Sequence, residues 1–197
     1  MWVTMLGTGT THPTRASAAV YVRFRRRQWA LLFDTSGGWE LRHQMFRAGL
    51  RPESVEHIFL SHLHFDHSLG LPGLLFSTAV LQQAKRMTRV YASAETILGM
   101  RRVIDEVVPG GQGRLGGAVH WFPLSDREVV PLRGGSVRVI ALDHSAGTFG
   151  YIVTSPSGSR IAYLSDTRFF PGLLTEIGPV DLVVCECYST QEESYRT

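Results

Sequence analysis

His62-Leu63-His64-Phe65-Asp66-His67 sets three imidazoles and a carboxylate into six residues, directly after the apolar strand-like segment Glu56 to Ser61. These are the donor types that Zn²⁺ and its transition-series neighbours prefer. Residues i and i+2 of an extended segment project to the same side, so His62 and His64 can share one ion. Asp66 and His67 come after the strand, where the chain turns, and can face a second ion beside the first. The run therefore reads as a two-metal centre. A structural zinc site is the competitor, but such sites are usually closed by cysteines at short spacing. The two cysteines, Cys185 and Cys187, lie far away in sequence.

Three further residues fall at the ends of strand-like runs. His144 follows the alternating segment Ser136 to Leu142, Asp166 follows Arg160 to Leu164, and Asp34 follows Trp29 to Phe33. Singly, each has an ordinary reading as a surface residue or helix cap. Jointly, a strand, then an acidic or imidazole residue, then small residues is the pattern of ligand loops along one edge of a sheet.

With these motifs the chain resembles the metallo-β-lactamase fold family, whose His-x-His-x-Asp-His signature matches positions 62 to 67. Finer features resemble its ribonuclease Z and phosphodiesterase branch: Leu6-Gly7-Thr8-Gly9-Thr10, Leu60-Ser61-His62 running on to Gly70-Leu71-Pro72-Gly73, Phe149-Gly150-Tyr151, and Tyr163-Leu164-Ser165-Asp166-Thr167. The resemblance implies an α/β fold, a four-layer αβ/βα sandwich with a dinuclear zinc site at the edge of its two sheets. By position, His62, His64 and His144 would hold one ion, Asp66 and His67 the other, with Asp166 bridging and Asp34 fixing the ligand loop from behind. The implied reaction is hydrolysis of a phosphodiester by a hydroxide bridging two Zn²⁺ ions, with Mn²⁺ or Fe²⁺ as alternatives. Asp66 would orient the nucleophile. A carboxylate at Asp166, where antibiotic-hydrolysing members carry a thiol, favours the phosphodiesterase type.

Two features depart from the family pattern. A further histidine usually closes the second metal's shell, yet no histidine follows His144, so the part ending at Thr197 reads as an incomplete C-terminal region. In Val184-Cys185-Glu186-Cys187-Tyr188, Glu186 matches a family residue that handles the leaving-group proton, while Cys185 replaces its histidine partner. The cysteines read as packed on one face of a strand, since a disulfide between residues two apart is geometrically poor. Only residues 145–165 separate His144 from Asp166, which leaves no room there for a transfer-RNA-gripping arm.

At 197 residues, 44% hydrophobic and 19% charged, the chain reads as one globular domain, with half-sandwiches at about 1–115 and 116–197. The glycine-rich stretch Pro109 to Gly117 is the expected connector. A net charge of +3 permits an anionic substrate such as RNA or a small phosphodiester. No apolar run approaches a membrane span, and Met1 to Leu6 reads as a strand rather than a leader, so a cytoplasmic protein is expected, as is a homo-oligomer. Apolar spacing predicts a helix over Gly38 to Leu50 with Leu41, Met45, Phe46 and Leu50 inward, a buried helix or helix pair over Leu69 to Lys85, and a helix over Ala94 to Val107. The basic run Arg23 to Arg27 reads as a solvated hairpin turn ahead of a nucleic-acid contact. His12, in the loop after Gly9, has only its position to suggest a substrate contact. Two other functions fit the motifs: hydrolysis of a lactone, thioester or β-lactam on the same fold, or a metal-binding module without turnover.

Overall fold

The computed structural model describes residues 1–9, 15–81 and 87–186. His12, Cys187 and the residues after it lie outside that set. The first sheet takes β1 (Trp2–Gly7), β2 (Ala19–Arg23), β3 (Ala30–Phe33), β4 (Val55–Phe59), β5 (Thr88–Ala92) and β6 (Val119–Pro123), in that spatial order. Neighbours pair antiparallel from β1 to β3 and parallel from β3 to β6. The second sheet runs β7 (Val129–Leu132), β8 (Gly135–Ala141), β9 (Phe149–Thr154), β10 (Arg160–Leu164) and β11 (Leu182–Cys185). Its pairings are antiparallel except for the parallel β10 and β11. The helices are α1 (Glu40–Arg47), α2 (Phe65–Ser68), α3 (Gly70–Leu75), α4 (Ala94–Val107), α5 (Gly111–Leu115) and α6 (Leu173–Ile177).

Three apolar cores separate four layers. Leu41 and Met45 of α1, Leu71 and Leu74 of α3, and Ile97, Met100 and Ile104 of α4 pack on the outer face of the first sheet. Phe33, Phe59, Tyr91, Tyr151 and Tyr163 fill the space between the sheets, and Leu173 and Ile177 of α6 cover the second sheet. β3 and β4 are buried at every position, as parallel strands covered on both faces must be. Helix α4 begins where the Ser93 side chain accepts from Thr96 N at 3.1 Å, satisfying one of the helix's orphan N–H groups. This is the αβ/βα sandwich that the family resemblance implies.

Several boundaries differ from the sequence expectation. Phe46 is 84% exposed, because α1 turns its Leu41 and Met45 stripe inward and carries Phe46 about 100° away from Met45. The Leu69 to Lys85 segment is α3 followed by a π-helical turn over Phe76–Leu81, with residues 82–86 not described. The glycine-rich connector folds into α5, and β6 then joins the first sheet. The chain therefore crosses to the second sheet after Pro123, not at residue 115. Among the described residues, no helix is long and apolar enough to cross a membrane.

Candidate metal centre

Parallel strands deliver their C-terminal ends to one edge of a sheet, and here those ends carry the candidate ligands. Asp34 follows β3, His62 and His64 follow β4, and His67 sits on the short helix α2. The second sheet brings His144 from the turn after β8 and Asp166 from the end of β10. Two bonds fix that pair of loops to each other: Arg168 N donates to Asp143 O at 2.8 Å and Asp143 N to Thr167 Oγ1 at 3.1 Å. The sheets are stapled at the same edge. Tyr151 OH donates to Leu60 O at 2.6 Å, and Phe149 N to Ser61 O at 2.9 Å.

Asp34 organises the rear of the site. It is fully buried, and its backbone adopts φ 54°, a left-handed conformation that aspartate tolerates better than most residues. Oδ1 accepts from Ser61 N at 2.7 Å. Oδ2 accepts from Ser61 Oγ at 2.7 Å, Tyr163 OH at 2.6 Å and His67 Nδ1 at 2.8 Å. The last bond places a proton on Nδ1 and turns Nε2 toward the site, where a metal would displace the second proton of the imidazolium. The loop that carries Asp34 is sewn to the metal helix, with Thr35 N and Oγ1 both donating to His67 O, at 2.6 and 3.0 Å. Gly70 permits that approach: a Cβ there would lie 1.8 Å from Thr35 O.

The candidate ligand atoms converge in front of this framework. His62, His64, His144 and Asp166 each offer an atom within 4.8 Å of the others. His144 Nε2 and His64 Nδ1 face each other at 3.2 Å. Asp166 lies between two donor sets: Oδ2 is 4.0 Å from His62 Nε2 and 3.8 Å from His144 Nε2, while Oδ1 is 3.1 Å from His67 Nε2. Asp66 Oδ2 is 3.8 Å from His67 Nε2, on the same side. His62, His64, Asp66, His67, His144 and Asp166 thus lie in one cluster.

The donor set fits a divalent cation on the structure's own chemistry. His62 Nε2 is buried with no hydrogen-bond partner, an unfavourable state that a metal ion would relieve. Burial, reinforced by His67, lowers the His62 pKa to about 3, so its lone pair is available. Burial also acts to lower His67, but the Asp34 carboxylate outweighs it, helped by the bond to Asp166, and pushes the value up to about 11. The carboxylates thus draw positive charge to the side of His67 that a metal would occupy. Asp166 is held below the usual carboxylate range, because the His67 bond and the surrounding imidazoles overcome its burial.

Glu186 and Cys185 line a cavity of about 310 Å³ that also touches His67, Asp166 and Tyr163. Burial and the neighbouring Asp166 raise the Glu186 pKa. Cys185 is exposed to this space, which corrects the expectation that it packs against the strand's neighbours; it is a free thiol. The basic run Arg23 to Arg27 occupies the turn between β2 and β3. That turn lies before the start of β3, at the opposite end of the sheet from Asp34. The partners Ser61, Tyr163 and Ser165 were given no role by the sequence. Ser165 Oγ donates to Ser61 Oγ at 2.8 Å, extending the support behind His62.

The model of the β-lactamase superfamily domain matches residues 30–196. The chain belongs to the metallo-β-lactamase superfamily. Within the superfamily it is ribonuclease Z-like. It is 33% identical to a ribonuclease Z of Limosilactobacillus reuteri over 155 residues, covering 77% of this chain and 48% of that protein. Against a ribonuclease Z of Methanococcus maripaludis it is 36% identical over 182 residues, covering 91% and 56%. The chain therefore spans about half the length of these relatives. Among solved structures, the short form of human tRNase Z superposes with a TM-score of 0.71 at 25% identity, covering 92% of this chain and 76% of that one. A diphosphatase of the PhnP family shares the fold, with a TM-score of 0.71 at 20% identity and coverages of 92% and 72%.

Proposed function

We propose that this protein is a phosphodiesterase that uses two divalent metal ions, zinc being the resident metal, and that RNA is among its substrates in the cytoplasm. The observation that carries this reading is Asp166, a single carboxylate that faces His62 and His144 through one oxygen and His67 through the other. His62, His64 and His144 would hold one ion, Asp66 and His67 the second, and Asp166 both. Metal bound there supplies Lewis-acid charge opposite a phosphoryl group and makes water acidic enough to attack near neutral pH. The remaining work belongs to side chains. Asp34 keeps the His67 proton on Nδ1, and the Ser61 hydroxyl meets His62 Nδ1 at 2.9 Å, so that both Nε2 atoms point inward. Asp66 would orient the attacking water. Glu186, whose raised pKa favours the protonated carboxyl, would give its proton to the departing oxygen.

The relatives named ribonuclease Z support the choice of an RNA phosphodiester over a lactone, thioester or β-lactam. The test is turnover of bis(p-nitrophenyl) phosphate by the zinc-loaded protein beside its Asp66→Ala variant. Turnover by the parent, lost in the variant and on chelation, is the expected result. Equal turnover by parent and variant, or hydrolysis of a lactone with no action on phosphodiesters, overturns the reading.

A further inference from the structure

Two large aromatic side chains, at the N-terminal cap of α1 and within it, face water. Trp39, just before α1, is 63% exposed and Phe46 is 84% exposed, on a stripe that also carries Arg42 and His43 and faces away from the buried Leu41 and Met45. With Pro52 these residues line an open depression of about 530 Å³. The Arg42 guanidinium sits over the Trp39 ring at 5.3 Å, and its Nε is buried without a hydrogen-bond partner. We propose that this face of α1 is a track for single-stranded RNA leading away from the metal centre, with Trp39 and Phe46 stacking bases and Arg42, Arg47 and Arg51 meeting phosphates. The inference rests on the phosphodiesterase reading and names where a longer substrate lies.

Charge and placement choose this partner. The face is net cationic, with Arg42, Arg47 and Arg51 against Glu40 and Glu53, and both carboxylates have partners within the chain. Glu40 accepts from Gly37 N at 2.9 Å and from Ser36 Oγ at 3.1 Å, while Glu53 pairs with Arg51 at 3.6 Å, an exposed contact that a phosphate can replace. Aromatic rings interleaved with cations form a sequence-tolerant surface for single strands. The seven steps from Trp39 to Phe46 rise roughly 10 Å along the helix, which accommodates about three stacked bases. The stripe begins beside α2, which carries Asp66 and His67: a Cβ on Gly37, two residues before Trp39, would lie 3.7 Å from Asp66 Cα, and Trp39 also lines the groove that contains Leu69 and Gly70. The basic run at Arg23 to Arg27, on the far end of the sheet, has no such continuity.

The experiment is fluorescence anisotropy of a short labelled oligoadenylate with the full chain in EDTA, so that binding is read without turnover. The Trp39→Ala/Phe46→Ala protein should bind about tenfold or more weakly. Arg42→Gln/Arg47→Gln should weaken binding and flatten its salt dependence. Both should cleave bis(p-nitrophenyl) phosphate like the parent, which also shows that they fold. Unchanged RNA affinity in the aromatic variant overturns the inference. So does a variant that turns from dimer to monomer in sedimentation while keeping its RNA affinity, since a second copy of the chain would then occupy the face. A parent that binds RNA through these residues but never cleaves a phosphodiester removes the hydrolase reading alone.

Discussion

Asp34→Asn tests the idea that a buried carboxylate sets the metal-binding state of His67. Two orientations of the new amide are open, and neither reproduces the carboxylate. With its NH₂ at the Oδ2 position, the amide confronts the hydroxyls of Ser61 and Tyr163, which can rotate and accept. It also confronts His67 Nδ1, 2.8 Å away, which can accept only if the ring's proton moves to Nε2. The neutral ring would then keep the Nε2 proton, 3.1 Å from Asp166 Oδ1, on the nitrogen a metal needs, whereas in the parent Asp34 makes it keep the Nδ1 proton. With the amide reversed, NH₂ meets the Ser61 backbone N–H at 2.7 Å, a donor that cannot become an acceptor.

Either way one charge-assisted hydrogen bond is lost, worth about 1.5–3 kcal/mol, and the buried donor left behind adds its own cost. For a domain of this size that lowers the metal-free Tm by roughly 3–12 °C. Loss of an outer partner of a ligating histidine weakens metal binding about 10–100-fold. Zinc affinity by chelator competition, with the His67 tautomer followed by ¹⁵N NMR of the imidazoles, reads both effects. A folded Asn variant that binds zinc like the parent and keeps its Nδ1 proton would refute the argument.

Other expected outcomes follow from burial and packing. Burial, with Arg89 and Arg133 adding to it, lowers the His57 pKa to about 4. The unfolded chain takes up that proton first, so the stability is fully present above about pH 6.5 and is lost as pH falls toward 4, amounting to about 3 kcal/mol at most. Urea unfolding across that window should show the loss, and His57→Gln should flatten it; an identical pH profile in the variant would reject the assignment. Gly70→Ala puts a Cβ 1.8 Å from Thr35 O and should destabilise by about 1–3 kcal/mol or more while weakening metal binding, since the Asp34 loop must move. A variant as stable as the parent would show that the loop gives way freely. Met45→Ala should cost about 2–5 kcal/mol and Phe46→Ser about 0.5 kcal/mol or less, although the residues are adjacent; denaturant titration of the pair decides between the observed α1 orientation and an inward Phe46.

The sequence made the strands legible because runs such as Ala30–Phe33 and Val55–Phe59 are apolar throughout, as strands buried on both faces are. It exposed the ligands for a related reason: polar residues abruptly ending such runs stand out, and parallel pairing brings those ends to one edge. Helix α4 was readable to its termini because Ser93 caps it and its apolar residues keep a single period. Phe46 was misread because apolarity was counted without fixing the helix's rotation, which the packing of Leu41 and Met45 alone determines. The connector misled because glycines mark a turn but do not say which sheet receives the next strand.

The support behind the ligands was hidden for a different reason. Tyr163 bonds to Asp34 across 129 positions, and Ser165 to Ser61 across 104, and neither residue type at those sites announces a partner. Local pattern finds side chains that would bind an ion, since their chemistry is unusual wherever it occurs. The residues that aim them are ordinary serines and tyrosines, and become identifiable only when the two sheets meet. The same distinction explains the exposed stripe on α1. Read locally, Trp39 and Phe46 belong to an amphipathic helix. In the folded chain they lie outside its core, Trp39 two residues from the glycine that abuts α2 and Phe46 about two turns further along, where a surface of aromatic rings and arginines can serve a long anionic substrate rather than stability.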